Sequence, residues 1–455
     1  MEISIIILVN LLLYFKTLKF KFVSDDYAVF HHPPTFKNRF HRRWLQFIGA
    51  CKLMSKTYRI IKHDGKWKLV ILKTEEGEHL YTLIIHILIC LAIYFAFGSS
   101  LISFVASLLY ATNPVNNQGT IWPGGRGYAL PILSLLISIA IPFLAPALLY
   151  LCSWFTVGFL APLVLIGHEK WWLLGLMPII WWLHSKKFRT AIKFKGDTEA
   201  FTEDRIIHPR KLILGIKTYG FYLLLCLFSF RITFYHNFLQ SCAGNDIMRK
   251  RAYKFDRYFF VGLIAGLGTI YYACTHWGVL AWSLLAFMIG IAPFCNFVRN
   301  NQEIAERFTA LPNVFLMYAL AQVIYLYPVA ITAFLVFYAT RTFYTLIMYQ
   351  DEYFITELAI IEDQHAWWAW HCRAMKRWDT QSYKEALILW VMAKIISPKE
   401  FKVLMNIATC LRLLKNDREA DDYLRQAEEN IVKGQEEQSR RFIEEHRKGK
   451  LPILL

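Results

Sequence analysis

With 455 residues, 56% of them apolar and 16% aromatic, and a positive mean hydropathy, the chain carries more apolar surface than a soluble protein of its length buries. Its 51 Lys and Arg against 34 Asp and Glu give a formal charge of +17. In a soluble chain that balance points to nucleic acid; here the cations flank apolar spans, where anionic head groups account for them, and nucleic acid is excluded as a partner. The nine cysteines show no paired metal-binding spacing, and Cys90, Cys226 and Cys274 sit inside apolar runs as small hydrophobes.

The first apolar run, Ile5 to Phe15, lacks a basic leader and a small-residue cleavage site before Lys16, which predicts a short membrane span. At roughly 20 residues per helix the rest of the chain to residue 350 divides into spans, about eleven in all. They lie near 3–20, 79–98, 99–113, 127–145, 146–166, 170–184, 212–237, 258–275, 276–298, 312–331 and 332–350, with breaks set by Pro142, Pro146 and Pro328. The fold class is thus an all-α polytopic membrane protein. The longest basic stretch between spans, His184 to Lys211, belongs in the cytoplasm by the positive-inside rule. Asp25, Asp26, the 114–126 segment, the 239–257 loop, Glu306, Arg307 and everything after residue 351 then share the opposite, exoplasmic face.

Within the membrane domain, 1–350, the first exoplasmic loop spans 21–78 and holds a basic amphipathic stretch, Phe40 to Ile61. Trp44, Phe47, Ile48, Cys51 and Met54 share its apolar face, the pattern of a helix lying in the bilayer interface. Asp64-Gly65 between two apolar runs predicts a short hairpin. After Tyr349 the chain turns polar. Trp370, Ala374, Ala386, Trp390, Ala393 and Pro398 recur 34 residues later as Leu404, Ala408, Ala420, Leu424, Ala427 and Val432. Those offsets match paired tetratricopeptide helices over 351–434, packed through small residues. A charged helical tail, 435–455, ends the chain.

Ionisable groups at a membrane face are costly and therefore functional candidates. Arg126, after Gly124-Gly125, and Arg307 suit phosphate, since a guanidinium gives two parallel bonds to phosphate oxygens and keeps its charge. Glu306 is placed to orient an arginine or bind a sugar. His79 and His86, seven residues apart, share a helix face. Arg249 and Arg251 put positive charge on the outer side, against the usual trend, which either an anionic lipid-linked ligand or a span count one off would explain. His31, His32 and His41 lack a carboxylate to complete a metal site.

Taken in order, Ser24-Asp25-Asp26, His79-x-x-Thr82-x-x-x-His86, Ala111 through Asn116 and Asn117 to Trp122 and Arg126, Ala292-Pro293-Phe294-Cys295-Asn296, and Ala305-Glu306-Arg307-Phe308 with Leu311-Pro312-Asn313 form a recognisable series. The series, followed by the repeats, resembles the GT-C superfamily of lipid-linked-sugar glycosyltransferases, and within it the transmembrane-and-tetratricopeptide O-mannosyltransferase-like group. The resemblance implies transfer of a sugar, mannose in that group, from a polyprenyl-phosphate donor to an exoplasmic acceptor, a protein Ser or Thr hydroxyl brought by the repeats. It implies inversion with Asp25 as base and Asp26 beside it, and donor contacts from His79, His86, Asn116, Asn117, Arg126, Glu306 and Arg307, which Arg249 and Arg251 join on charge alone. It predicts a multi-pass protein whose site and repeats face the periplasm or endoplasmic reticulum lumen, in contact with membrane lipids. Asn116-Asn117-Gln118 replaces His-Thr-Glu and Asn113 replaces His, which leaves the sugar open; no cofactor is implied with certainty, and room remains for a divalent cation. A scaffold working through its repeats and a lipid-linked saccharide transporter are the alternatives.

Overall fold

A computed structural model describes residues 1–21, 23, 57–63, 66–72, 75–141, 209–233, 236, 253–297, 304–431 and 436–450. These form sixteen α-helices and one β hairpin. The predicted spans at 146–166 and 170–184 lie outside the described residues.

The membrane-domain helices are α1 (Glu2–Tyr14), α2 (Glu75–Ala96), α3 (Leu101–Thr112), the single turn α4 (Asn117–Thr120), α5 (Arg126–Ala140), α6 (Pro209–Phe228), α7 (Arg257–Thr275), α8 (Val279–Ile291), α9 (Pro312–Ile324) and α10 (Pro328–Leu346). Three are long and apolar enough to cross a membrane: α2, α7 and α10 with its continuation to Tyr349, as befits a membrane-spanning chain. The apolar stretches of α3, α5, α6, α8 and α9 are shorter. Central to the bundle is α3, which packs against α1, α2, α9 and α10, while α2 also meets α5 and α8 meets α9. One apolar core runs from Ile6 to Leu358.

α6 and α7 approach closely because each presents glycine to the other. A Cβ on Gly220 would sit 2.0 Å from the Tyr258 carbonyl oxygen, and one on Gly262 would sit 2.0 Å from that of Ile216. Small residues let apolar helices pack backbone to backbone where lipid supplies no hydrophobic drive. At the start of α7, Asp256 caps the helix through Tyr258 N and Phe259 N and also pairs with the buried Lys217 at 2.7 Å.

Several predicted boundaries shift. The span expected at 212–237 stops at Phe228, because Ser229 turns left-handed (φ 49°) and its carbonyl is taken by Arg341 at 3.0 and 3.1 Å. The preceding Cys226 carbonyl accepts from Asn113 at 2.8 Å and Tyr338 at 3.2 Å, so the orphan acceptors of the last turn are satisfied and the chain is free to reverse. The final pair of spans divides at Pro328, the break the sequence marks, which opens α10 a few residues before the 331/332 bound of the predicted spans. Strands β1 (Thr57–His63) and β2 (Lys66–Leu72) pair antiparallel about the expected Asp-Gly position. Thr57 to Ile61 are therefore strand and not the end of an amphipathic helix, in keeping with their β-branched and aromatic side chains. The rest of that stretch lies outside the described residues.

Beyond Tyr349 come α11 (Glu352–Glu362), α12 (Trp367–Asp379), α13 (Tyr383–Ile396), α14 (Phe401–Leu413), α15 (Asp417–Glu429) and α16 (Glu436–Arg447), each packed on its neighbour. Ala374, Ala386, Ala393, Ala408, Ala420 and Ala427 are fully buried, with Trp390, Leu404 and Leu424 among them. The 34-residue spacing extends to the backbone. Gln381 and Lys415 both adopt left-handed φ, 59° and 61°. The bonds Gln381 N to Trp378 O and Ser382 N to Arg377 O recur as Lys415 N to Arg412 O and Asn416 N to Leu411 O. One helix-ending turn is thus built twice.

Candidate functional site

Two segments distant in sequence, 113–128 and 304–313, form one polar seam. Gly119 lets them touch, since a Cβ there would lie 2.6 Å from Ala310 Cβ. Gln118 Oε1 accepts from Arg307 N at 2.9 Å, Tyr110 OH donates to Ala310 O at 3.0 Å, and Asn313 Nδ2 donates to Asn116 Oδ1 at 3.0 Å. Asn116 also donates to Tyr110 O at 2.8 Å. Fully buried and bonded on both amide atoms, Asn116 ties the seam together. Asn117 accepts from Tyr14 OH at 3.1 Å, and its Nδ2 has no hydrogen-bond partner among the described residues.

Arg307 is held by aromatic groups. Its Nε donates to Tyr128 OH at 3.2 Å, and its guanidinium lies 5.4 Å from the Phe308 ring centre and 5.8 Å from that of Tyr128. Among the described residues no carboxylate stands within ion-pair distance of it. A guanidinium so placed keeps its charge available to an anion.

Glu306, its neighbour in sequence, faces elsewhere. The reversal after α6 brings Thr233 and His236 onto it: Oε1 accepts from Thr233 N at 2.5 Å and lies 3.2 Å from His236 Nε2. Oε2 is buried with no hydrogen-bond partner among the described residues. Glu306 therefore does not orient Arg307. Burial pushes its carboxyl well above the usual range, and burial, helped by the charge of Arg231, pushes the His236 imidazole down. Both shifts disfavour charge, so the two groups hold one proton between them.

His86 is fully buried at mid-α2, edge-on to Tyr14 at 5.0 Å and stacked on Tyr110 at 6.0 Å. It adjoins the seam through Tyr14, in a place that belongs to helix packing. His79 lies two turns away, about 10 Å along the axis, with Nε2 3.4 Å from Lys21 O. Lys21 in turn pairs with Asp351, the cap of α11, at 3.5 Å. Arg126 opens α5, its side chain outside what is described. Asp25, Asp26, Arg249 and Arg251 lie outside the described residues; Val23, two positions before Asp25, accepts from Trp122 Nε1 at 3.4 Å in the 113–128 segment. No three His, Cys, Asp or Glu side chains converge to hold a cation among the described residues.

Next to the Glu306–His236 pair is a cavity of about 130 Å³ lined by Phe221, Leu224, Leu225, Phe230, Arg231, Arg257 and Tyr258. Phe221 is shared, lying edge-on to His236 at 5.2 Å. Four apolar side chains and two guanidiniums make a lining suited to an anionic amphiphile. His236 and Tyr128 carry no sequence signal of their own; their roles come from Glu306 and Arg307, 70 and 179 residues away. Compared with protein-family models, with curated proteins and with solved structures, the chain matches none of them.

Proposed function

We propose that the chain is a GT-C-type glycosyltransferase with about eleven spans and a two-repeat tetratricopeptide arm. It would move a sugar, mannose by resemblance, from a polyprenyl phosphate to an exoplasmic hydroxyl, a protein Ser or Thr in the resembled group. The observation that carries this reading is Arg307, held by aromatic groups with no carboxylate beside it among the described residues. The acceptor oxygen attacks the anomeric carbon as its bond to the phosphate oxygen breaks. The polyprenyl phosphate departs with the bonding pair, the configuration inverts, and the hydroxyl proton passes to Asp25. Arg307, with Arg126, balances the phosphate charge, and the Phe221–Phe230 wall takes isoprenoid. The buried, packing-bound Asn116 and His86 favour the second reading, a non-catalytic scaffold working through its repeats.

The test is transfer of radiolabelled sugar by the purified chain from a panel of synthetic polyprenyl-phosphate sugars to membrane-derived acceptors. Label in the acceptor is expected. No label from any donor, with the helical fold intact by circular dichroism, would favour the scaffold.

A further inference from the structure

We propose that the helical arm rests on an anionic membrane surface through the outer face of α13. This helix is apolar on two sides. Its inner side, Ala386, Trp390 and Ala393, is fully buried in the arm's core. Its outer side exposes Ile388 (64%), Met392 (37%) and Ile395 (63%), at successive spacings that keep them on one face. Lys384, one turn before Ile388, and Lys399, just past the helix, are exposed at its two ends. The acid on this helix, Glu385, is met by Arg377 at 3.1 Å.

Helix α15 sets the contrast. Occupying the equivalent position 34 residues on, it exposes Asp417, Arg418, Glu419, Asp421, Arg425, Glu428 and Glu429, a face made for water. Only the earlier of the two equivalent helices turns apolar side chains outward, and it is the one nearer the membrane domain. α11 leaves α10 within a few residues of Tyr349 and exposes Tyr353 and Ile361; α12 packs on α11, and α13 on α12. At 8–10 Å per helix contact, α13 stands within about 20 Å of that exit. Trp367 and Trp370 pack against Ile396, the residue after Ile395, and tryptophan is a residue type of the bilayer interface.

Charge selects the occupant. An apolar stripe with a lysine at each end fits anionic head groups, whereas two copies of α13 packed together would set lysine against lysine in either direction. Three side chains bind a bilayer weakly by themselves, but the arm is tethered to the same bilayer, so the contact is intramolecular in effect.

The experiment places a photo-crosslinking benzoylphenylalanine at Ile388 or, separately, at Ile395 in the full chain, in nanodiscs of phosphatidylglycerol or of phosphatidylcholine, and identifies adducts by mass spectrometry. Lipid adducts are expected at both positions and not at Glu419 on α15. Yield should be about thirtyfold higher in the anionic lipid, as two lysines near a charged surface imply. The Lys384→Glu, Lys399→Glu double variant should abolish that preference while leaving the melting temperature of the chain unchanged. Equal yields in the two lipids, adducts confined to other parts of the chain, or adducts to a second copy would each overturn the assignment. No readout depends on catalysis, so the result stands apart from the proposed activity.

Discussion

Replacing Glu306 with glutamine tests the buried pair at the centre of the site. In the folded chain Glu306 and His236 hold one proton between them; in the unfolded chain they titrate near 4.5 and 6.5. Between those values the unfolded pair also carries one proton, on histidine, so the pair adds no slope to stability. Above pH 6.5 the unfolded pair carries none while the folded pair keeps its own. Stability then falls as pH rises, by about 1.4 kcal/mol per unit, until the folded pair deprotonates. Glutamine keeps an oxygen for Thr233 N and carries no proton to lose. Relative to wild type, Glu306→Gln should therefore gain stability with rising pH, by about 1.4 kcal/mol per unit from near pH 4.5 until the folded pair deprotonates. Reversible denaturant unfolding in detergent, followed by circular dichroism from about pH 5 to 8.5, reads that difference directly, because all other titrating groups are common to both proteins. Parallel curves for the two proteins would refute the shared proton.

Two further substitutions test the packing that positions the site. Gly220→Ala drives a Cβ into the Tyr258 carbonyl and should cost about 1–3 kcal/mol, seen as a lowered melting temperature. Gly268→Ala, on the same helix pair but facing open space, should be neutral or slightly stabilising. Asp256→Ala removes the α7 cap and the carboxylate that pairs with the buried Lys217; a loss of about 2–4 kcal/mol is expected, with partial recovery in the Lys217→Met, Asp256→Ala double variant.

What could be read from the sequence was local or periodic. The Asp64-Gly65 signal marked the hairpin, Pro328 marked the start of α10, and the small residues at 374, 386, 408 and 420 all lie in the arm's core. The seam between 113–128 and 304–313 brings together Asn116 and the Arg307 backbone, both in segments singled out by motif order, while Asn117 bonds to Tyr14 and Glu306 turns to His236. Three-dimensional pairing was illegible. Nothing near Glu306 in sequence indicates His236, which reaches it only because Asn113, Tyr338 and Arg341 end α6 early and turn the chain. That same early stop explains why the predicted span overran the helix: the carbonyls of Cys226, Leu227 and Ser229 are taken by side chains from other segments. Asn116 and Asn117 look alike in sequence, yet one is bonded on both amide atoms and the other keeps an unpartnered amide nitrogen among the described residues.

The most direct test of the central claim is sugar transfer by wild type, Asp25→Asn and Arg307→Ala side by side, from a polyprenyl-phosphate donor, as initial rates over a range of donor concentrations. The account predicts rapid labelling by wild type, loss of at least about 100-fold in turnover for Asp25→Asn, and for Arg307→Ala a loss of transfer efficiency of the size expected for a charge-assisted phosphate contact, about 10- to 100-fold. Equal labelling by all three proteins would contradict it, as would the absence of label from a wild-type protein that is folded and monodisperse.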